Sequence, residues 1–189
     1  MPSKFVHRLA GLCLASAAAL AGAAELAGTH RLVLANAAGE RIDIGTVTFR
    51  SAGTERWRFD IKLDDARFEE RFLAMRPFKC LTGPSQQICW FPYGEEREIT
   101  RDDLVPLEYA LLFLHKKPAS VNIDAKNGVY YKLRWSAAGA RSALEGTLWD
   151  ADYTPIIVPE GGDRRRPVTA DYLFAADPGS HWLPQLLIE

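Results

Sequence analysis

The stretch ERWRFDIKLD, at residues 55–64, decides the fold class of this chain, because hydrophobic and charged residues alternate along it. The hydrophobic side chains fall at every second position: Trp57, Phe59, Ile61 and Leu63. Successive side chains of a β-strand point to opposite faces of its sheet. The pattern therefore predicts a strand with one buried face and one solvated face.

Two more strands are predicted before this one, at residues 29–34 and 41–50, with an Ala-Ala-Gly turn between them. In the second of these strands the hydrophobic phase changes across Gly45, between Ile44 and Val47. An extra residue inserted into one strand produces such a change of phase. We therefore expect a β-bulge at Gly45.

A second clearly alternating strand lies in the C-terminal half of the chain. Its hydrophobic positions are Val129, Tyr131, Leu133 and Trp135. It follows Asn127-Gly128, a strong signal for a hairpin, and the first arm of that hairpin is predicted at residues 121–125. We expect the hydrophobic face of this strand to meet the face of residues 55–64 across one interior.

One helix is predicted in the middle of the chain, from near Asp103 to the residues before Pro118. An aspartate suits the helix N-cap, and proline ends the helix. Leucines recur at helical spacing within these bounds: Leu104, Leu107, Leu111 and Leu114. On this interpretation His115 is a residue of the helix C-terminus, where the macrodipole favours a positive charge.

The N-terminus has the three parts of a cleavable secretory signal. Lys4 and Arg8 form a basic region, residues 9–20 form a short apolar region, and Ala21-Gly22-Ala23 supplies the small residues of a cleavage site. We therefore expect a signal peptide at residues 1–23, and a periplasmic or secreted location in a bacterium. The apolar region is shorter than the roughly 20 residues of a membrane-spanning helix, and no such helix is expected after cleavage.

Cys80 and Cys89 are the two cysteines of the expected mature chain, because Cys13 lies in the signal peptide. A closely spaced pair in an oxidising compartment predicts a disulfide bond. Gly83-Pro84 lies between the two cysteines and favours a chain reversal there. The spacing is not that of a redox Cys-x-x-Cys motif, so we expect a structural bond.

Residues 24–189 are predicted to form a single, mainly β domain, a small antiparallel barrel or strongly curved sheet with one mid-chain helix. The tail at residues 182–188 is expected to add an edge strand, because Pro184 is tolerated only at an edge. Leu26-Ala27-Gly28-Thr29-His30 resembles the opening segment of lipocalin-like barrels, with His30 in place of the tryptophan expected there. The resemblance implies a lipocalin-like architecture by analogy and no particular function.

Candidate catalytic residues are few. His181 follows Asp177 and Ser180 within five residues, so this segment contains the side-chain types of a hydrolase. Asp-Pro-Gly-Ser is also an ordinary turn, in which the aspartate bonds its own backbone. The histidines of the expected mature chain do not occur at metal-ligand spacing, and we expect neither a metal nor a cofactor.

Binding is the function that the residues favour. Loss of Lys4 and Arg8 changes the formal charge from −1 to −3, which argues against a nucleic-acid surface. Aromatic side chains on the predicted strands are candidates to line an apolar pocket: Trp57, Phe59, Tyr131 and Trp135. The leading hypothesis is a non-enzymatic exported domain that binds an apolar small molecule or an envelope protein. The alternatives are a hydrolase centred on His181 and a small outer-membrane barrel.

Overall fold

The computed structural model describes residues 26–74, 76–158 and 163–189. The predicted signal peptide at residues 1–23 lies outside the described residues. Twelve strands and two short α-helices form in the described part of the chain. The strands are β1 (Gly28–Ala35), β2 (Arg41–Gly53), β3 (Arg56–Leu63), β4 (Glu69–Leu73), β5 (Arg76–Thr82), β6 (Gln87–Trp90), β7 (Glu98–Thr100), β8 (Phe113–Lys116), β9 (Gly128–Trp135), β10 (Leu144–Ala151), β11 (Leu173–Ala175) and β12 (Gln185–Ile188). The helices are α1 (Val105–Ala110) and α2 (Thr154–Ile157).

All twelve strands belong to one antiparallel sheet, in the order β4-β5-β6-β8-β9-β10-β12-β1-β2-β3-β7, with β11 paired to β10. The prediction of a mainly β fold is confirmed. Within the described residues the end strands β4 and β7 do not pair, so the sheet is open. It curls strongly enough to bring the rings of Trp57 on β3 and Trp135 on β9 to a centroid distance of 5.5 Å.

Hydrophobic side chains pack on both faces of the sheet. The inner core fills the concave side and contains Leu32, Ile44, Trp57, Tyr131 and Leu186. The outer core lies on the opposite face and contains Phe78, Phe91, Tyr109, Tyr130 and Tyr153. Neighbouring residues of β9 are divided between them, since Tyr130 belongs to the outer core and Tyr131 to the inner core. The middle of the sheet is therefore covered on both sides.

The predicted bulge at Gly45 is confirmed. The register between β1 and β2 shifts between Leu32 and Val33, whose partners are Gly45 and Asp43. Gly45 has a φ of +141°, and a Cβ atom there would lie 2.2 Å from the backbone oxygen of Lys62. Glycine is required because the strand approaches β3 closely at this point.

The predicted helix at residues 103–117 is wrong in its second half. Helix α1 ends at Ala110, and β8 then continues the sheet from Phe113 to Lys116. Leu112 and Leu114 pack into the outer core, while Leu111 and Phe113 pack into the inner core. A strand buried on both faces gives a continuous hydrophobic run, which has no strand periodicity. His115 is consequently a strand residue. Burial, and then the neighbouring His181, lower its pKa.

The predicted disulfide is confirmed and joins adjacent strands. Cys80 on β5 lies directly opposite Cys89 on β6, with their Cα atoms 3.9 Å apart.

The predicted edge position of the tail is wrong, because β12 lies between β10 and β1. Pro184 precedes this strand, so its missing N–H does not interrupt the ladder.

Candidate functional site

An apolar groove lies on the outer face of the sheet. Its volume is about 420 Å³. Strand β5, the segment after β6, strand β8, the loop before β9 and helix α2 all contribute to it. Its lining is mostly aliphatic and aromatic and includes Phe78, Phe91, Tyr93, Leu114, Ile123 and Ile156. We call this site the aromatic groove.

Stacked aromatic rings support the floor of the aromatic groove. Phe91 stacks on Phe78 at a centroid distance of 6.3 Å, and on Tyr153 at 5.9 Å, with nearly parallel planes in both pairs. Tyr153 is fully buried. Such offset stacks add rigidity beyond simple burial of area, so the groove is held open by side chains that are themselves packed.

Arg76 supplies the positive charge of the aromatic groove. Its guanidinium carbon lies 4.6 Å from the ring centroid of Phe78 and 4.7 Å from that of Phe91, in cation–π contact with both rings. Among the described residues no carboxylate lies within ion-pair distance of Arg76. Its hydrogen-bond donors are thus available to a carboxylate or a similar anion beside an apolar surface.

A second groove, with a volume of about 580 Å³, shares Tyr93 with the first and is more polar. Arg164 and Arg165 line it together with Glu95 and Glu96. Arg166, next in the chain, bonds Glu96 at 3.1 Å and Asp103 at 2.7 Å. These ion pairs tie the loop at residues 163–169 to the start of helix α1, and they occupy two carboxylates of the acidic run at residues 95–103.

A buried carboxylate joins helix α1 to the middle of the sheet. Glu108 is 5% exposed. Its two oxygens accept hydrogen bonds from the hydroxyl of Tyr130 and, at 2.6 Å, from the backbone N–H of Leu133. Desolvation by burial raises the pKa of Glu108. The helix that borders the second groove is therefore fixed to β9 by a polar contact inside the protein.

The aromatic residues singled out in the sequence lie away from the aromatic groove. Trp57, Phe59 and Tyr131 are buried in the inner core, and Trp135 packs against it. The hydroxyl of Tyr131 donates to the carbonyl of Leu183 at 2.7 Å. The strand faces of β3 and β9 do meet across one interior, and these rings contribute to its packing.

The structure places the three candidate catalytic residues at a turn and separates their side chains. Asp177 accepts from the N–H of Gly179 at 2.9 Å, and the hydroxyl of Ser180 donates to the carbonyl of Asp177 at 2.7 Å. The ring of His181 instead lies 3.0 Å from a carboxylate oxygen of Asp150 on β10. Neither Asp177 nor Ser180 is a described hydrogen-bond partner of that ring.

The residues of the aromatic groove are not apparent from the sequence. Arg76 and Phe78 precede the disulfide as an ordinary extended segment, and Ile156-Ile157 lies in a stretch that has the composition of a loop. One signal was available. Ile156 and Ile157, which both line the groove, are adjacent large aliphatic residues in a region rich in proline, glycine and arginine.

Comparisons of the chain with protein-family models, with curated proteins and with solved structures give no significant match. Within residues 26–74, 76–158 and 163–189, no helix combines the length and hydrophobicity needed to cross a membrane. Function is therefore inferred from the grooves and side-chain clusters of this chain.

Proposed function

We propose that this chain is an exported, non-enzymatic β-domain that binds an apolar small molecule with an anionic head group in the aromatic groove. One observation carries the proposal. An apolar groove of about 420 Å³ contains a guanidinium group that has no carboxylate partner among the described residues. We also propose that the domain has a lipocalin-like barrel architecture, because its sheet curls around an inner core as the sheets of such barrels do.

The size and lining of the aromatic groove support a small-molecule ligand. Pockets that take such ligands usually have volumes of roughly 300–1,000 Å³ and mostly hydrophobic walls with a few polar groups. This groove meets both conditions. A neighbouring cavity of about 290 Å³ shares Arg76, Phe78 and Phe91 with it and is also lined by the charged residues Glu70 and Lys79.

Arg76 supports an anionic group on that ligand. A guanidinium in contact with two aromatic faces has exchanged part of its hydration for ring contacts. A carboxylate placed beside it gains a charge-assisted and geometrically directed hydrogen bond. A neutral ligand makes the same apolar contacts without this bond, so the groove should prefer the anion.

Export is the other half of the proposal. The three-part N-terminus and the Cys80–Cys89 bond both fit an oxidising compartment outside the cytoplasm. An apolar ligand is poorly soluble there, and a binding domain would carry it through the aqueous phase. An envelope protein that presents an apolar segment would use the same surface.

Displacement of a fluorescent probe tests the binding. The purified protein is saturated with anilinonaphthalene sulfonate, and dodecanoate or dodecanol is then added as competitor. We expect dodecanoate to displace the probe, and Arg76→Ala to weaken dodecanoate about tenfold while leaving dodecanol nearly unchanged, since one charge-assisted bond is lost.

Two further variants separate the groove from general surface charge. Ala125→Phe places a ring inside the groove and should weaken both competitors. Arg58→Ala removes a distant arginine whose side chain is 75% exposed on β3, and it should change neither. Failure of both competitors to displace the probe, or equal effects of Arg58→Ala and Arg76→Ala, contradicts the proposal.

A further inference from the structure

Three potential metal ligands meet at one end of the inner face of the sheet, away from the aromatic groove. His115 lies on β8, Asp150 lies on β10, and His181 follows the turn at residues 178–180. Strand β9 pairs with both β8 and β10, so the two strands are held two positions apart in the sheet. His181, which follows the turn, supplies the third side chain.

The ligand atoms of these three residues are close together. One ring nitrogen of each histidine and one oxygen of Asp150 all lie within 4.8 Å of one another. Nε2 of His181 is 3.0 Å from Oδ1 of Asp150, and the rings of His115 and His181 meet edge to face at 5.3 Å. Bonds of about 2.0–2.1 Å to a tetrahedral ion place its ligand atoms about 3.3 Å apart, so small side-chain rotations bring all three into range.

We propose that His115, Asp150 and His181 form a binding site for a divalent transition-metal ion of the zinc class. Two imidazoles with one carboxylate suit zinc, cobalt or nickel, whereas magnesium and calcium prefer sites made of oxygen ligands. Asp150 has a side chain that is 39% exposed, while the His181 side chain is 4% exposed. The site is therefore open to solvent on the carboxylate side, where water or a further ligand completes the coordination.

Gln86 controls which nitrogen of His181 is available. Its Oε1 accepts from the backbone N–H of Trp182 at 3.2 Å, so its amide Nε2 faces Nδ1 of His181 at 3.3 Å. An amide N–H donates to an unprotonated nitrogen, and the proton of the ring is then on Nε2, toward Asp150. For a metal to bind Nε2, this proton must move to Nδ1. The amide of Gln86 must then rotate, and it loses its hydrogen bond to the backbone N–H of Trp182.

A carboxylate at position 86 removes this conflict. In Gln86→Glu, one oxygen accepts from Trp182 and the other from Nδ1–H of His181, which frees Nε2 for the metal. Groups that orient a ligating histidine typically change metal affinity by about 10–100-fold. We therefore expect Gln86→Glu to bind metal at least tenfold more tightly than the natural chain.

Titration with Co²⁺ tests the site, because its visible absorption reports ligand number and geometry. The purified, oxidised protein is dialysed against a chelator, titrated with Co²⁺, and then challenged with Zn²⁺. We expect one ion per chain, displaced by Zn²⁺. We also expect at least tenfold weaker binding in His115→Ala and Asp150→Asn.

Matched variants distinguish this site from adventitious binding. His30→Ala removes a histidine of β1 whose ring bonds the carbonyl of Leu26, and it should leave the affinity unchanged. Asp150→Asn keeps the shape of a partly exposed side chain, so it remains informative if a histidine variant fails to fold. Absence of a bound ion, retention of full affinity in Asp150→Asn, or equal loss in His30→Ala overturns the proposal.

Discussion

Replacement of Glu108 by leucine should destabilise the protein by about 3 kcal/mol. The carboxylate is the described partner of two buried donors, the hydroxyl of Tyr130 and the N–H of Leu133. A buried donor left without a partner costs about 1–3 kcal/mol, so two of them cost roughly 2–6 kcal/mol. Leucine also removes the cost of burying a carboxylate, which offsets part of this loss of stability. A net loss of about 3 kcal/mol remains.

Urea unfolding, followed by tryptophan fluorescence with the disulfide intact, measures this loss. For a chain of this size, 3 kcal/mol corresponds to a fall in Tm of about 6–12 °C. Tyr130→Phe removes one donor and should cost less. The double variant Glu108→Leu with Tyr130→Phe should be more stable than the sum of the single losses predicts, because the unpaired hydroxyl is then gone.

The pH dependence gives an independent check on Glu108. Its pKa in the folded protein is raised above the usual 4.5 by burial. A raised pKa in the folded state means that the folded protein binds the proton more tightly than the unfolded chain does. The contribution of Glu108 to stability is therefore complete below its pKa in the unfolded chain, and it is lost as the pH rises through its pKa in the folded protein. Glu108→Gln cannot ionise. The stability of the natural chain relative to this variant should therefore decrease as pH rises from about 4.5.

The reasoning fails if this difference in stability is constant or increases with pH. It also fails if Glu108→Leu costs less than about 1 kcal/mol, because solvent would then be reaching both donors.

Three further predictions concern processing and the sheet. Protein recovered from the periplasm or medium should begin just after Ala23 by N-terminal sequencing, and an intact Met1 would contradict export. Replacing Cys80 and Cys89 by alanine should lower the free energy of unfolding by about 2.5 kcal/mol, the chain-entropy value for so short a loop; an unchanged urea midpoint would contradict this. Gly45→Ala should cost at least 2 kcal/mol, as roughly expected for a strained and overpacked position, whereas Gly39→Ala, whose methyl meets no atom of the described residues within 4 Å, should cost less.

The strands that face one core could be predicted from the sequence. Strand β3 has a buried and a solvated side, so its residues alternate and its bounds match the pattern at residues 55–64. The bulge at Gly45 was equally visible, because a change of phase inside an alternating strand has few other causes. The disulfide could be predicted from the close spacing of the two cysteines together with the expected export.

Strand β8 could not be predicted, because both of its faces are buried. Phe113 packs into the inner core and Leu114 into the outer core. The resulting hydrophobic run continues the leucine pattern of helix α1 without a break. Periodicity distinguishes helix from strand only when one side of the element is polar.

The candidate sites were hidden for a different reason. The aromatic groove combines the start of β5 with helix α2. The proposed metal site combines His115 on β8, Asp150 on β10 and His181 after the turn at residues 178–180. Each depends on the order of strands in the sheet, which local patterns do not specify. His115 and His181 do not share a motif, yet their rings lie 5.3 Å apart once β12 has placed the preceding segment.

The central position of β12 affects when the molecule can fold. Strands β1 to β3 are synthesised first and β4 to β10 follow, yet among the described strands it is β12 that connects β1 to β10 in the sheet. The backbone of Glu189 exchanges two hydrogen bonds with Arg31, and its carboxylate bonds Arg31 at 2.8 Å. The two parts of the sheet therefore cannot join before residues 185–188 have been synthesised. The export that we propose would therefore act on a chain whose sheet is still in two parts.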